Sequence, residues 1–126
     1  MFTADQIVAH LVGDYLLQSH WMATEKTKSN LAAFAHATAY SLPFLFLVPG
    51  GWSGVIALLL IGGLHFPIDR WRLARFVVWA KNGARGPVTA TGYPDNVPAW
   101  LSVWLLIIAD NVLHLLVNGV VLKALG

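Results

Sequence analysis

The sequence predicts an all-α polytopic membrane protein, a four-helix bundle whose third helix is kinked near Pro67. Three observations carry that expectation. Hydrophobic residues make up 57% of the 126 residues and charged ones only 11%, where a soluble domain carries about 25%. The mean hydropathy is +0.64, and four apolar stretches approach the roughly 20 residues that a membrane helix needs. Basic residues gather after the first and third stretches, the alternation that a multi-pass topology produces. The length suits one domain, residues 1–126.

The first stretch, residues 4–22, carries Ile7, Val8, Leu11, Val12, Leu16 and Leu17 and is the least apolar. No Lys or Arg precedes it, Asp5 stands there instead, and no small-residue cleavage pattern follows, so residues 1–22 are expected within the mature fold. The second stretch, 30–48, ends at the Pro49-Gly50-Gly51 turn. The third, 52–80, starts near Trp52 and contains Pro67, whose missing amide and bulky ring act against the carbonyl of Gly63. Beyond Pro67, Arg70, Arg72, Arg75 and Lys81 alternate with Trp71, Phe76, Val77, Val78 and Trp79, a mixture suited to the headgroup layer. Residues 82–97 show neither helical nor strand period and read as a loop. The fourth stretch, 98–125, is long enough to span with tilt.

Orientation follows from the basic residues. Lys26 and Lys28 follow the first stretch, and Arg70, Arg72, Arg75, Lys81 and Arg85 follow or close the third. Only Lys123 falls on the other side. The basic side is expected to be cytoplasmic, with both termini outward in a bacterial inner membrane and loop 82–97 inward. Trp21, Trp52, Trp71, Trp79 and Trp100 lie mostly at span ends, as an aromatic belt requires.

Within these stretches lie residues that a lipid-facing helix does not need. His10 and Asp14, His65 and Asp69, and Asp110 and His114 are each four apart. On a helix such a pair points an imidazole and a carboxylate the same way. Gln18 extends the first face by another turn, and His36 adds an imidazole from the second stretch. Counted along their spans, these residues reach overlapping depths. An ionisable group at the bilayer centre costs at least about 2.5–3.5 kcal/mol, and a divalent cation offsets that cost.

The chain has no cysteine, so any metal takes nitrogen and oxygen ligands. The expected set is His10, Asp14, His36, His65, Asp69, Asp110 and His114, with zinc the first choice and manganese or iron next. Asp14 and Asp110 are the candidate catalytic carboxylates. Lys26, Arg70 and Gln18 are the candidate substrate-binding residues, because guanidinium and ammonium groups hold phosphate. The competing reading of the set is a polar network that only ties helices together. The competing reading of the arginines is topology and headgroup contact. His20, Asp5 and Asp95 are assigned to the interface, the terminus and the loop.

The run HLVGDYLLQSHWMATEK, residues 10–26, resembles the opening of the domain-of-unknown-function 3307 family, small integral membrane proteins of bacteria and phages. Its His, Asp, Leu-Gln and Lys are matched by His10, Asp14, Leu17-Gln18 and Lys26. His36 matches a second-span histidine, His65, Ile68 and Asp69 a His-x-x-Ile-Asp, and Asp110 and His114 a late Asp-x-x-x-His. Where the family commonly has Lys after the second Asp, this chain has Arg70, which keeps the charge and not the amine. The resemblance implies a membrane protein with a polar site and supplies no reaction. A more distant likeness is to membrane-bound metal-dependent hydrolases related to zinc phospholipases.

These readings converge on a membrane metal protein that hydrolyses a phosphate-bearing lipid or other amphiphile. One alternative is a metal-ion or proton transporter, which with so few spans requires a homo-oligomer. Another is a non-enzymatic phage or bacterial interaction protein. Membrane lipid is the expected partner, and no nucleic acid is.

Overall fold

The computed structural model of the chain describes residues 2–126, and every described element is helical. The order is α1 (Ala4–Leu11), a π-helical turn (Val12–Leu16), α2 (His20–Glu25), α3 (Asn30–Ser41), a 3-10 turn (Leu42–Phe46), α4 (Trp52–Arg70), α5 (Ala74–Lys81) and α6 (Ala99–Leu125).

Small polar residues start the early helices. Thr3 caps α1 by accepting from the Gln6 amide at 3.3 Å. Ser19 caps α2 by accepting from Met22 at 3.2 Å, and Ser29 caps α3 by accepting from Ala32 at 3.3 Å. Each hydroxyl satisfies an amide that the first helical turn leaves without a partner.

These caps change the expected spans. Residues 4–22 are not one helix: the backbone widens into the π turn, bends at 17–19 and restarts at the Ser19 cap. Residues 30–48 also divide, because Pro43 has no amide to continue the α ladder and the chain tightens into the 3-10 turn. Two helices, α4 with 19 residues and α6 with 27, are long and apolar enough to cross a membrane. The expected four-span bundle is therefore narrowed to two candidate spans.

The expected span 52–80 also divides, beyond Pro67. α4 runs through Pro67 and ends at Arg70, and the chain turns where Arg72 adopts φ +48°. The carbonyl that the proline ring crowds belongs to Gly63, which is exposed and has open space where a Cβ would sit.

The chain divides into two compact units. One comprises the chain up to Trp71 together with His114–Gly126. Its apolar core is Ala9, Tyr40, Phe44, Ala57, Ile61, Val121 and Leu122. α3 and α4 pack against each other, with Gly62 so close to α3 that a Cβ there would stand 3.5 Å from the Ala37 carbonyl. Small side chains let helix backbones approach closely. Gly13 does the same for the π turn: a Cβ there would stand 2.8 Å from both the ring and the carbonyl of Tyr40.

The other unit is Arg72–Leu113. Within it the loop expected at 82–97 has no regular element, yet it folds onto α5. Trp79 donates from its indole to the Gly86 carbonyl at 3.2 Å, and Lys81 stands 5.2 Å over the Tyr93 ring. Gly92 packs so closely on Val78 that a Cβ would stand 2.8 Å from the valine's own.

Polarity is distributed inside out. Only 33% of the most apolar stretch of α4 and 28% of that of α6 are buried, and Leu59, Trp52 and Trp100 are largely exposed. The buried positions instead include Gln6, His10, Asp14, His36, His65, Asp69, His114 and Asn118.

Candidate metal centre

The centre is built by four pieces of the first unit. α4 presents His65 and Asp69 from one face, one turn apart. α3 presents His36 from its middle. The π turn presents Asp14, and such bulges commonly re-aim a side chain at a functional site. The second part of α6 presents His114.

Four donor atoms, one each from Asp14, His36, His65 and Asp69, lie within 4.8 Å of one another. His36 Nε2 is 3.1 Å from Asp14 Oδ1, 3.0 Å from Asp69 Oδ2 and 2.9 Å from His65 Nε2. His65 Nε2 is 3.2 Å from Asp69 Oδ2 and 3.7 Å from Asp14 Oδ1. Zinc–nitrogen and zinc–oxygen bonds of about 2.0–2.2 Å put tetrahedral ligand atoms about 3.3–3.6 Å apart. The observed separations bracket that value. None of the four residues is more than 6% exposed. Two buried carboxylates and two imidazoles facing one another form a donor set that can hold a divalent ion such as zinc, manganese or iron.

The remaining expected histidines lie against these four. His114 Nε2 donates to Asp69 Oδ1 at 3.0 Å, and its Nδ1 lies 3.1 Å from His65 Nδ1. His10 stands behind Asp14, with Nε2 3.7 Å from Oδ2, while its Nδ1 meets the Tyr40 hydroxyl at 2.7 Å. Both histidines thus touch residues of the four-residue set. Asp110 is half-buried one turn before His114, in the part of α6 that belongs to the other unit.

Lys26 reaches the cluster: its ammonium donates to Asp69 Oδ2 at 2.6 Å, with the side chain 19% exposed. Arg70 is not drawn in. Its Nη1 and Nη2 donate to the carbonyls of Thr27 and Lys28, and its Nε to Asn30 Oδ1. The guanidinium fork therefore staples the α2–α3 connection to the end of α4. Gln18 lies in the bend before α2, with a buried Oε1 that has no hydrogen-bond partner among the described residues.

Three further buried polar residues, not among those expected, lie on the helices that carry the histidines. Asn118 donates to the Tyr40 hydroxyl at 2.6 Å, and the Tyr40 ring stacks on His65 with centroids 3.7 Å apart and planes 15° from parallel. Gln6 donates to the Leu115 carbonyl at 3.3 Å. A sequence signal existed for each. Gln6 is four residues before His10, Tyr40 four after His36 and Asn118 four after His114, so each extends a histidine-bearing helix face by one turn.

No curated protein and no solved structure matches the chain. A sequence profile does, over residues 2–125, essentially the whole length and including every residue of the centre. The chain belongs to the family described as "Protein of unknown function (DUF3307)".

Proposed function

We propose that the protein is a membrane-embedded metalloenzyme that hydrolyses a phosphate-bearing lipid or other amphiphile, with a divalent ion, zinc first, held by Asp14, His36, His65 and Asp69. The observation that carries the reading is the convergence of those four donors within 4.8 Å of one another, with the five separations that involve a histidine at 2.9–3.7 Å. A bound divalent ion polarises a phosphoryl oxygen and lowers the pKa of water. The chain's residues supply the rest. The two carboxylates make the centre attractive to a cation and exclude an uncompensated apolar alternative. Lys26, the partly exposed member, is placed to receive a phosphate oxygen beside Asp69.

Membrane residence is supported by the apolar exterior of α4 and α6. The cytoplasmic assignment of the basic segments, in a bacterial inner membrane with both termini outward, is supported by Arg70 bonding to the carbonyls of Thr27 and Lys28. Those contacts bring the two basic regions to one end of α4. The test is turnover on a panel of lipid phosphates by detergent-purified protein with and without added zinc, manganese or iron. Metal-dependent phosphate release that disappears in Asp14→Asn, with zinc still bound by the wild type, supports the reading. A metal-loaded wild type inert on every substrate contradicts it.

One observation favours a second reading, conduction of a metal ion or proton by a homo-oligomer. Asn118, Tyr40, His10, Asp14, His36, His65 and Asp69 form a continuous chain of polar contacts that ends on partly exposed Lys26. Buried polar residues in series are what a relay needs. Flux into proteoliposomes would favour this reading over hydrolysis.

A further inference from the structure

We infer that His114 is a positioning residue that fixes the tautomer of His65 and holds Asp69, closing a ring of contacts around the metal centre, and that Tyr40 with Asn118 does the same for His10 behind Asp14. The inference rests on the metal reading above and deepens it. It assigns an outer role to two histidines that spacing alone would count as ligands.

Ionised Asp69 only accepts, so at 3.0 Å the proton lies on His114 Nε2. A neutral imidazole carries one N–H, so His114 Nδ1 is then an acceptor. Facing it at 3.1 Å is His65 Nδ1, which must be the donor. His65 Nε2 is left bare, its lone pair directed at His36 Nε2 and the oxygens of Asp69 and Asp14 at 2.9, 3.2 and 3.7 Å. Metal-ligating histidines usually donate their second N–H to an outer partner, which fixes ring orientation and raises ligand basicity. Here that partner is His114, and the same residue braces the second ligand, Asp69, through the oxygen that the cluster does not use.

Tyr40 repeats the arrangement on the other side. Its hydroxyl accepts from Asn118 Nδ2 at 2.6 Å and has one proton to give, toward His10 Nδ1 at 2.7 Å. His10 then carries its proton on Nε2, the atom facing Asp14 Oδ2. Asp14 Oδ1 is the oxygen turned to His36. Each carboxylate therefore offers one oxygen to the cluster and has a histidine at the other.

The test loads ¹⁵N-histidine-labelled wild-type protein with ¹¹³Cd as a zinc surrogate and reads cadmium–nitrogen couplings by NMR. The expected result is coupling to His36 and His65 only, with His65 protonated on Nδ1 and both His114 and His10 protonated on Nε2. Coupling to His114 or His10, or the opposite tautomer at either, overturns the inference. Two variants supply a second readout. His114→Gln, which can still donate and accept, is expected to keep full stoichiometry and weaken cadmium binding less than His114→Ala, where loss of the outer contact costs about 10–100-fold. Tyr40→Phe keeps the stacked ring and is expected to move the His10 tautomer without removing cadmium. Equal affinity in wild type and His114→Ala overturns the role. A wild type that takes up no cadmium and no zinc fails the metal reading itself, a distinguishable outcome.

Discussion

Asp69→Asn is the most informative single change, because it preserves shape and removes one charge from the most contacted oxygen pair in the centre. The carboxylate meets Lys26 at 2.6 Å, His36 at 3.0 Å, His65 at 3.2 Å and His114 at 3.0 Å, and the residue is 5% exposed. Removing one partner of a buried ion pair costs about 3–5 kcal/mol. Lys26 is partly exposed and can turn its ammonium toward water, so the metal-free loss falls at the low end, about 3 kcal/mol. Zinc adds a second difference. At free zinc of about 100 Kd the wild type gains about 2.7 kcal/mol, whereas the variant has lost a ligand and gains little. The gap should therefore widen from about 3 to about 5.5 kcal/mol on adding zinc. Denaturant unfolding in detergent, with chelator and with buffered zinc, measures both numbers. A purely structural network also gives the first loss, so the decisive quantity is the widening. Equal stabilisation of both proteins by zinc, or of neither, refutes the reasoning.

Other expectations follow from the same geometry. Lys26→Gln removes a positive charge beside Asp69 and should tighten zinc binding while lowering turnover on a phosphate amphiphile. Calorimetry and phosphate release check the two signs, and a loss of both affinity and turnover would show that Lys26 only supports the fold. Gly13→Ala pushes the π turn off Tyr40 and should cost about 1–3 kcal/mol, the usual cost of overpacking, with weaker zinc binding because Asp14 is the next residue. Unchanged stability and affinity would mean the turn is free to move. Because the chain has no cysteine, single cysteines report topology directly. Ala90→Cys should react with a membrane-impermeant reagent only from the cytoplasmic side and Ala124→Cys only from outside, and labelling of both from one side contradicts the proposed orientation.

Much of the centre was legible because i, i+4 spacing survives folding. His65 and Asp69 converge as their spacing required, and His36 meets them from the next helix. The spacing could not say which histidine is inner and which outer. That depends on ring rotation and on what lies at the second nitrogen, for which His114 and His10 find Asp69, His65 and Tyr40. Helix type was legible and helix length was not. Hydropathy runs straight through Ser19 and Pro43, whereas the backbone stops at both, because a capping hydroxyl and a missing amide act locally whatever the apolar content. The π turn left no composition signal, yet it sets where Asp14 points. Arg70 looked like a phosphate clamp by charge alone, and its hydrogen bonds instead close the α2–α3 connection.

A divalent ion held by the buried cluster of Asp14, His36, His65 and Asp69 can be counted. Elemental analysis of detergent-purified protein, loaded with zinc and dialysed, does so when wild type and His65→Ala are run side by side. The expected result is about one equivalent of metal in the wild type, as for a four-ligand site, and only a residue of that in the variant. Equally low metal in two well-folded proteins would contradict it.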